Sequence, residues 1–281
     1  MTETVTLAPD DARALIHDAL TGAGLAADKA GYFTDAVLET ELWGLEGHGF
    51  YWLEHYCRHL RSGKVDGHAE PVVEPVSDTA FRVDARHGFA HPAIEAGFRH
   101  LVPAARAAGI AAMGVRNSYN AGTLGVHTAH LARAGLVALG ATNAVPNIAP
   151  VGGRTPVIGT NPISFAVPGA QDGEVAFIID QSASAVAWTA VKRAADAGEA
   201  IPHGWALDAE GRDTTDAAAG LAGSMAPAGG AKGFSIGLMV EVLCAAVAGG
   251  ELGTDMGSFT DDDGRPIDNG QFFVAIEPRR F

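Results

Sequence analysis

The fold of this chain is decided by residues 110–133, which read IAAMGVRNSYNAGTLGVHTAHLAR. Residues 110–115 form a short run typical of a β-strand, and residues 124–133 form an alanine-containing stretch typical of a helix. The loop between them, residues 117–122, is polar and contains glycine. A strand, a loop and a helix in this order predict a mixed α/β protein. The free backbone N–H groups at the start of the helix could hold a phosphate group.

The same alternation extends along most of the chain. It predicts further strands over residues 81–83, 136–142, 163–167, 175–179 and 271–276, and further helices over residues 91–108, 183–197 and 232–248. The stretches 217–233 and 248–270 are rich in Gly, Pro and Ala, and they are predicted to be long loops.

The first part of the chain differs from the rest because it is predicted to be helical. Helices are expected to begin at Pro9, near Asp28 and near Phe50, and Gly47-His48-Gly49 separates the last two. His48 is therefore expected to lie on a glycine-flanked hinge. We divide the chain into a helical region over residues 1–78 that carries this hinge, a mixed domain over residues 79–250, and a segment over residues 251–281 that returns to the first region.

The charge balance argues against nucleic acid and membranes as partners. The 281 residues contain 19 Lys and Arg against 33 Asp and Glu, a formal net charge of −14, whereas surfaces that bind nucleic acid or anionic lipid are basic. No basic leader opens the chain, and no stretch approaches the roughly 20 apolar residues of a membrane span. Cys57 and Cys244 are too few for a disulfide framework. We therefore expect a cytoplasmic protein.

Three local patterns point to other classes of site without the context that those sites need. Residues 233–237 match the G-x-S-x-G pattern of α/β-hydrolases, but the segment before them is a loop rather than a strand. His55 and His59 are four residues apart and His48 is one hinge away, but no H-E-x-x-H pattern accompanies them. Solvated or interfacial histidines and no metal are expected. The sequence also has neither a Rossmann nor a P-loop glycine motif.

Four polar, glycine-containing segments occur in a recognisable order, at residues 117–122, 142–153, 159–162 and 229–233. Together with Gly47-His48-Gly49, Ile179-Asp180 and the stretch 201–216, they resemble the type-2 malate/L-lactate dehydrogenase family over residues 8–281. This family includes malate, sulfolactate and ureidoglycolate dehydrogenases, and reductases of the cyclic imines piperideine- and pyrroline-2-carboxylate.

The resemblance implies a non-Rossmann α/β (α+β) fold in which a mixed, largely antiparallel sheet is wrapped by helices. It also implies a homodimer whose active site draws on both subunits, with NADPH or NADH as cofactor and a small molecule as substrate. The apolar residues 50–53 beside the hinge are a candidate surface for this dimer. The chemistry of the family is hydride transfer between the nicotinamide and a carbon that carries oxygen or nitrogen.

Site residues follow from the resemblance, position by position. His48 matches the histidine that donates or accepts the proton, and an imidazole, which titrates at about pH 6.5, suits that role. Asp180 matches an aspartate that orients this imidazole. Thr160 matches a position near both the substrate and the nicotinamide. The positions that match cofactor-lining residues are Ser118, Asn120, Asn143, Pro146, Gly159, Thr160, Asn161, Ser184 and Lys232.

The chain departs from the family pattern at several of these positions. Gly47 stands where the pattern has a serine, Trp52 where it has an arginine that holds a substrate carboxylate, and Asn120 where it has a histidine. Trp188-Thr189-Ala190 replaces an Arg-Gly-Lys-like segment near the cofactor, and the chain stops at residue 281, before a C-terminal helical segment of the family.

These departures define the predicted substrate side of the site. Trp52 offers an apolar indole face and one N–H donor in place of a guanidinium. The predicted substrate is therefore larger, flatter or less acidic than a small 2-oxo acid. The predicted substrate-binding residues are Gly47, Trp52, Asn120 and Thr160.

Two enzyme classes remain open. The leading hypothesis is an NAD(P)H-dependent reductase or dehydrogenase that acts on a C=N or C=O group of a non-standard substrate, as in specialised metabolism. The alternative is a repurposed family member that performs non-redox acid/base chemistry, such as elimination, isomerisation or cyclisation, without nicotinamide. His48 and Asp180 suit either enzyme. A non-catalytic dimeric binding protein is disfavoured because both residues are present.

Overall fold

The computed structural model describes residues 5–45 and 47–281. The α-helices of these residues are α1 (Pro9–Ala23), α2 (Ala30–Leu42), α3 (Phe50–Ser62), α4 (Ala90–Ala108), α5 (Leu124–Arg133), α6 (Trp188–Ala197), α7 (Ala217–Ala222) and α8 (Ala231–Glu241). The strands are β1 (Val72–Ser77), β2 (Ala80–Asp84), β3 (Ile110–Ser118), β4 (Val137–Thr142), β5 (Ile163–Pro168), β6 (Val175–Gln181), β7 (Ala206–Leu207), β8 (Asp213–Thr214), β9 (Ser224–Met225) and β10 (Asn269–Ile276). None of the helices in these two ranges combines the length and the hydropathy that crossing a membrane requires.

Helices α1 to α3 form an N-terminal layer with its own apolar core. α1 begins with Pro9 at its first position, where a missing N–H costs nothing, and ends at Gly24 in the left-handed conformation. The three helices predicted in this part of the chain are confirmed. Phe50, Trp52 and Leu53 pack on this core within the chain. The dimer surface expected at residues 50–53 stays a prediction.

Seven strands form the main sheet, in the order β1-β2-β3-β10-β4-β5-β6. β2 and β3 are parallel, whereas the other five neighbouring pairs are antiparallel. The largely antiparallel mixed sheet implied by the resemblance is therefore confirmed. Every strand predicted from the sequence is present, and β1, which no sequence pattern marked, is added at one edge.

The last strand, β10, lies at the centre of the sheet between β3 and β4. Its register pairs Asn269 with Ser118 on one side and Gln271 with Thr142 on the other. Its side chains alternate between the two faces of the sheet, and Phe273 is fully buried in the main core with residues of α4 and α5. This core therefore depends on the end of the chain.

A second sheet, in the order β8-β7-β9, packs with α6 and α7 around a separate apolar core. Each of its strands is two residues long, which is too short to produce an alternating pattern. The predicted loop over residues 217–233 is therefore wrong at α7 and β9. Asp216 begins α7 by accepting hydrogen bonds from Ala218 N (2.9 Å) and Ala219 N (3.1 Å).

Two predicted helices have different bounds in the structure. The helix predicted from residue 183 begins at Trp188, because Ala183 N donates to Thr160 O (2.7 Å) and Ala185 N donates to Ala226 O (2.7 Å). These bonds hold residues 183–187 as a loop beside the segment that precedes β5. The helix predicted over residues 232–248 is α8 followed by a wider π-helical turn over Val242–Val247.

Residues 258–267 connect the end of the chain to the N-terminal layer. Phe259 packs against Trp52 on α3 with ring centroids 4.8 Å apart, and Arg58 Nε donates to Asp262 Oδ1 (2.9 Å). This loop contacts α3 before β10 enters the sheet. The three-part division of the chain into domains stays a prediction.

Candidate active site

The segments that the sequence singled out meet at one edge of the main sheet. β3 and β4 are both antiparallel to β10, so they run in the same direction and end at the same edge. β5 is antiparallel to β4, and β6 is antiparallel to β5, so β5 begins and β6 ends at that edge too. The loops 117–122, 142–153 and 159–162 therefore gather there, together with Asp180 on β6.

Asn161 ties two of these loops to α8. Its φ is 39°, a left-handed conformation that asparagine tolerates, and its side chain is fully buried. Its Oδ1 accepts from Ala144 N (3.1 Å), and its Nδ2 donates to Gly237 O (2.9 Å) and Glu241 Oε2 (2.7 Å). Because both amide protons are used within the protein, Asn161 contributes to the site chiefly by shaping the backbone around it.

Glu241, which no sequence motif marks, is the centre of this network. Its carboxylate is buried and accepts from the Nδ2 groups of Asn143 (3.3 Å) and Asn161, and from Gly253 N (2.6 Å). A buried charge is tolerated when such donors surround it. The signal that could have found Glu241 is a single acidic residue at the end of an otherwise apolar helical run.

Asn143 joins the same network to the start of β10. Its Oδ1 accepts from Gly270 N (2.9 Å), its Nδ2 donates to Glu251 O (2.8 Å), and its backbone oxygen accepts from Asn269 Nδ2. The loop that follows β4 is thereby locked against β10. Like Asn161, Asn143 uses its amide protons inside the protein, so its predicted contact with a cofactor stays a prediction.

Glycines let the backbones of these loops approach closely. A Cβ on Gly159 would lie under 3.0 Å from Ala144 O, and a Cβ on Gly233 would lie under 3.0 Å from Ala183 O, which real Cβ atoms essentially never show. These two positions pack the loop before β5 and the start of α8 against their neighbours. A side chain at either position would push the loops apart.

The start of α8 has the features of a phosphate-binding turn. Gly229 and Gly230 have φ of 60° and 67° and lead into the helix at Ala231. The first N–H groups of a helix lack partners within it and carry the positive end of its dipole. Lys232 is exposed in this turn and adds a positive charge. The geometry of this turn supports the predicted contact between Lys232 and a cofactor, which stays a prediction.

His48 lies on the segment between α2 and α3, as predicted. The backbone there is tightly held, because Gly49 has a φ of 59° and Phe50 N donates to Glu41 Oε1 (2.6 Å). The His48 side chain is half-buried, and this desolvation lowers its pKa. An imidazole that is mostly neutral and still reachable can exchange a proton with a ligand near neutral pH.

Asp180 lies on β6 and is held by α5. Its Oδ2 accepts a hydrogen bond from Gly125 N (2.6 Å) in the first turn of that helix. The residue is exposed along β6, but its carboxyl group packs against α5, and desolvation raises its pKa to about 6. No hydrogen bond joins Asp180 to His48 within residues 5–45 and 47–281, so the pairing of the two stays a prediction.

The residues predicted to bind the substrate contact different parts of the protein. Trp52 packs edge-on against Phe259, within its own chain. Asn120 closes a turn, since its Oδ1 accepts from Gly122 N (2.6 Å). Gly47 is buried against the first turn of α6. Their contact with a substrate stays a prediction.

Five other predicted ligand-binding residues lie on the gathered loops or beside them. Thr160 is half-buried and Gly159 is buried in the segment before β5, and Pro146 is half-buried in the loop after β4. The hydroxyl groups of the two serines are used by the protein, because Ser118 Oγ donates to Tyr119 O (3.1 Å) and Ser184 Oγ donates to Val186 O (2.7 Å). They can therefore line a ligand more readily than they can hydrogen-bond to it.

The expectation of a solvated histidine is wrong for His59. Its side chain is fully buried, and its Nδ1 shares a hydrogen bond with Tyr119 OH (2.5 Å). The ring of His55 is stacked parallel to Phe259, with an interplanar angle of 2°. Both rings belong to an aromatic cluster between α3 and the loop 258–267. Within the described part of the chain, no group of three or more His, Cys, Asp or Glu side chains is placed to hold a metal ion.

A mixed sheet that gathers glycine-rich turns and ionisable side chains at one edge has the organisation of an α/β enzyme. The profile of the Malate/L-lactate dehydrogenase family matches residues 7–281, and the chain belongs to this family. It is an oxidoreductase by this membership, and the resemblance and fold class inferred from the sequence are confirmed.

Similar proteins and structures cover nearly the whole chain. It is 43% identical over 271 residues to (2R)-3-sulfolactate dehydrogenase (NADP(+)) of Chromohalobacter salexigens, which covers 96% of this chain and 80% of that protein. It is 36% identical over 281 residues to Delta(1)-pyrroline-2-carboxylate reductase of Ancylobacter novellus, which covers 100% of this chain and 82% of that protein. The crystal structure of delta1-piperideine-2-carboxylate reductase from Pseudomonas syringae has a TM-score of 0.91 at 34% identity, and covers 98% of this chain and 82% of that one. All three relatives are dehydrogenases or reductases, so the non-redox alternative is not favoured.

The buried carboxylate of Glu241 generates a prediction about stability. Glu241→Ala is expected to lower the free energy of unfolding by about 2–4 kcal/mol, because three donors lose a charged acceptor inside the protein. Urea denaturation followed by circular dichroism measures this change. The matched control is Glu54→Ala. Glu54 is exposed, and its single ion pair is a loose i,i+4 contact with Arg58 at 3.9 Å. This control is expected to lower the free energy of unfolding by less than about 0.5 kcal/mol. Equal costs for the two variants would contradict the role given to Glu241.

Proposed function

We propose that this protein is an NAD(P)H-dependent reductase or dehydrogenase that acts on the C=N or C=O group of a small molecule. The observation that carries the proposal is His48, a half-buried imidazole of lowered pKa on a tightly held segment, in a chain that matches an oxidoreductase family over residues 7–281. Two relatives support the two reaction types. One is named as a sulfolactate dehydrogenase that uses NADP(+), and the other as a pyrroline-2-carboxylate reductase.

The residues at the start of α8 fit a nicotinamide dinucleotide. The turn Gly229-Gly230, the first N–H groups of the helix and the exposed Lys232 would hold its phosphates. The backbones that meet at Gly159 and Gly233 pack the neighbouring loops against the start of α8. We assign NADPH or NADH as the cofactor, which supplies or accepts the hydride when bound.

His48 moves the proton of the proposed reaction. In reduction, the protonated imidazole gives its proton to the oxygen or nitrogen on which negative charge develops, and in oxidation the neutral imidazole removes it. Burial lowers the pKa of His48, so the ring releases its proton readily. Desolvation raises the pKa of Asp180 to about 6, so this carboxyl group changes charge near pH 6. Its proposed role is to orient the imidazole and to stabilise its charged form.

The proposed substrate is non-standard, larger, flatter or less acidic than a small 2-oxo acid. Trp52 places an indole on α3 where a guanidinium would hold a carboxylate. Arg58 on the same helix is engaged by Asp262 at 2.9 Å, so this cation is not free to take that role. Reduction of such a compound suits a biosynthetic enzyme. The buried, unpaired Cys57 and Cys244 support a cytoplasmic location, because thiols stay reduced there.

Titration of the purified protein with NADPH and NADH tests the proposed function. Saturable binding below millimolar cofactor, followed by tryptophan fluorescence, is expected. Lys232→Ala should weaken that binding by about tenfold, because one charged partner of a phosphate is lost. The matched control is Lys192→Ala on α6, whose ammonium group pairs with Asp196 in an i,i+4 pair and which should leave binding unchanged. Absence of binding at millimolar cofactor would overturn the proposal.

The role of His48 is tested in the same preparation. His48→Ala is expected to lower kcat by about 10²-fold or more, which is the usual scale of lost acid/base catalysis. The melting temperature should change little because the ring is only half-buried. His68→Ala, at an exposed histidine outside the site, is the control and should keep wild-type turnover. A His48→Ala variant that turns over like the wild type would remove this residue from the mechanism.

The proposed homodimer is supported by apolar surface on β6 and α8. Phe177 and Ile179 on β6 are about half exposed, as is Val242 beside the end of α8, and Met239 is 61% exposed. β6 is also an edge strand of the main sheet, and unpaired edge strands offer free N–H and C=O groups to a partner. A second copy of the chain would cover both features.

Light scattering measures the mass of the assembly in solution. The wild-type protein is expected to have twice the chain mass of 28.8 kDa at micromolar concentration. Ile179→Asp should shift the mass toward one chain, because a charge would then be buried in the interface. Val76→Asp, at the opposite edge of the sheet and 58% exposed, should leave the dimer intact. A wild-type mass of one chain would contradict the dimer.

A further inference from the structure

A cavity lined by none of the predicted site residues lies on the face of β1, β2 and β3 that is turned away from α4. The register pairs Asp84 with Val72 on one side and with Arg116 on the other. Side chains paired in this way point to the same face of a sheet, whereas Val83, the neighbour of Asp84, packs in the main core with residues of α4. The cavity has a volume of about 340 Å³ and is lined by Val72, Glu74, Arg82, Asp84, Arg86 and Arg116. This volume is at the lower end of the range for small-molecule sites.

The lining of the cavity is positively charged. Three arginines stand against two carboxylates, which leaves one positive charge in a chain whose net charge is −14. Arg82 Nη1 lies 3.3 Å from Glu74 Oε2, and Arg116 Nη2 lies 3.3 Å from Asp84 Oδ2. Arg86 is exposed, and its guanidinium group has no ion-pair partner among residues 5–45 and 47–281. The charge of Arg86 is therefore available to an anion.

Arg116 contributes a buried donor that no protein group satisfies. Its Nε is buried and has no hydrogen-bond partner in the described part of the chain, because Asp84 meets Nη2 instead. Buried N–H groups are normally paired. The side chain as a whole is 37% exposed, so a rotation of its end would bring Nε and one Nη to an anion in the cavity. Carboxylates and phosphates are the groups that a guanidinium binds side-on in this way.

The backbone that carries Arg86 is strained. Its φ is 53°, in the left-handed region that a residue such as arginine seldom adopts. Asp84 holds this conformation, since its Oδ1 accepts from Arg86 N (2.9 Å) and from Asn117 Nδ2 (2.9 Å). Such conformations cost free energy and cluster in segments that bind ligands. The strain keeps Arg86 in the cavity next to Arg116.

We propose that this cavity binds a tetrahedral oxyanion, either inorganic phosphate or the phosphate group of a small phosphate ester. Arg86 and Arg116 donate hydrogen bonds to its oxygens. Val72, which is 43% exposed, contacts the apolar part of an ester. The two carboxylates of the lining leave a single positive charge, which suits one phosphate group rather than a nucleic acid. This site is separate from the turn at the start of α8, and the inference does not depend on the proposed function.

Isothermal titration calorimetry of the full chain at constant ionic strength tests the site, with inorganic phosphate and glycerol 3-phosphate as probes. Saturable binding with a Kd at or below about 1 mM is expected. The probe that binds more tightly identifies the source of the phosphate group, free or esterified. Arg86→Gly should weaken binding by about tenfold or more, because a charged donor is lost. Its melting temperature should not fall, since glycine adopts a φ of 53° without strain.

Three further variants locate the anion. Arg116→Lys keeps the charge but removes Nε, and it should weaken binding by about threefold or more. Arg99→Ala removes a positive charge elsewhere on the surface, at a side chain that is 72% exposed, and should leave binding unchanged. Lys232→Ala alters the other candidate phosphate-binding turn, and it should keep the binding that Arg86→Gly loses.

Four results would show that the inference is wrong. They are the absence of saturable binding of both probes to the wild type, wild-type binding by Arg86→Gly, an equal loss in Arg99→Ala, and a loss in Lys232→Ala alone. A loss of NADPH binding but not of NADH binding in Arg86→Gly would also overturn it, because the cavity would then belong to the cofactor. Failure of the proposed function is seen separately, since the phosphate titrations need no cofactor and no turnover.

Discussion

The pairing of β10 between β3 and β4 is the constraint on which the rest of the molecule depends. β10 comes from the end of the chain, yet it supplies the central strand of the sheet and the buried Phe273 of the main core. Because both neighbours are antiparallel to it, β3 and β4 run in the same direction and release their loops at one edge. The arrangement of the site at that edge therefore depends on residues 269–276, since β3 and β4 pair with β10 and not with each other.

A second constraint holds the loops once the sheet has formed. Glu241 on α8 is a buried carboxylate that takes hydrogen bonds from two asparagine side chains and one backbone N–H group. Burying an ionised group costs free energy unless donors replace its water shell. The network thus makes the position of α8 and the conformations of the two asparagine-bearing loops depend on each other. The reachable groups among the predicted site residues include His48, Thr160, Asp180 and Lys232.

The ionisable groups of the site are shifted in opposite directions by the same cause. Desolvation disfavours charge, so it lowers the pKa of the His48 imidazole and raises that of Asp180 to about 6. The two pKa values are thereby brought toward each other. Asp180 keeps its position through Gly125 N at the start of α5. That bond lowers the pKa of Asp180 and partly opposes the effect of burial.

Local patterns in the sequence were sufficient for α1 to α5, for six of the seven strands of the main sheet and for the family. Pro9 and Gly24 mark the ends of α1 because their backbone preferences act within one turn, and Gly47-His48-Gly49 marks the break after α2 for the same reason. The ordered glycine-containing segments carried the family resemblance that the comparison confirms. What only the tertiary structure decided are the central place of β10, the small sheet of β7 to β9, the role of Glu241 and the cavity that Arg86 and Arg116 line. Each of these features joins residues that are distant along the chain. A local pattern indicates whether a segment prefers a helix, a strand or a turn, but it does not indicate which distant segment will pack against it.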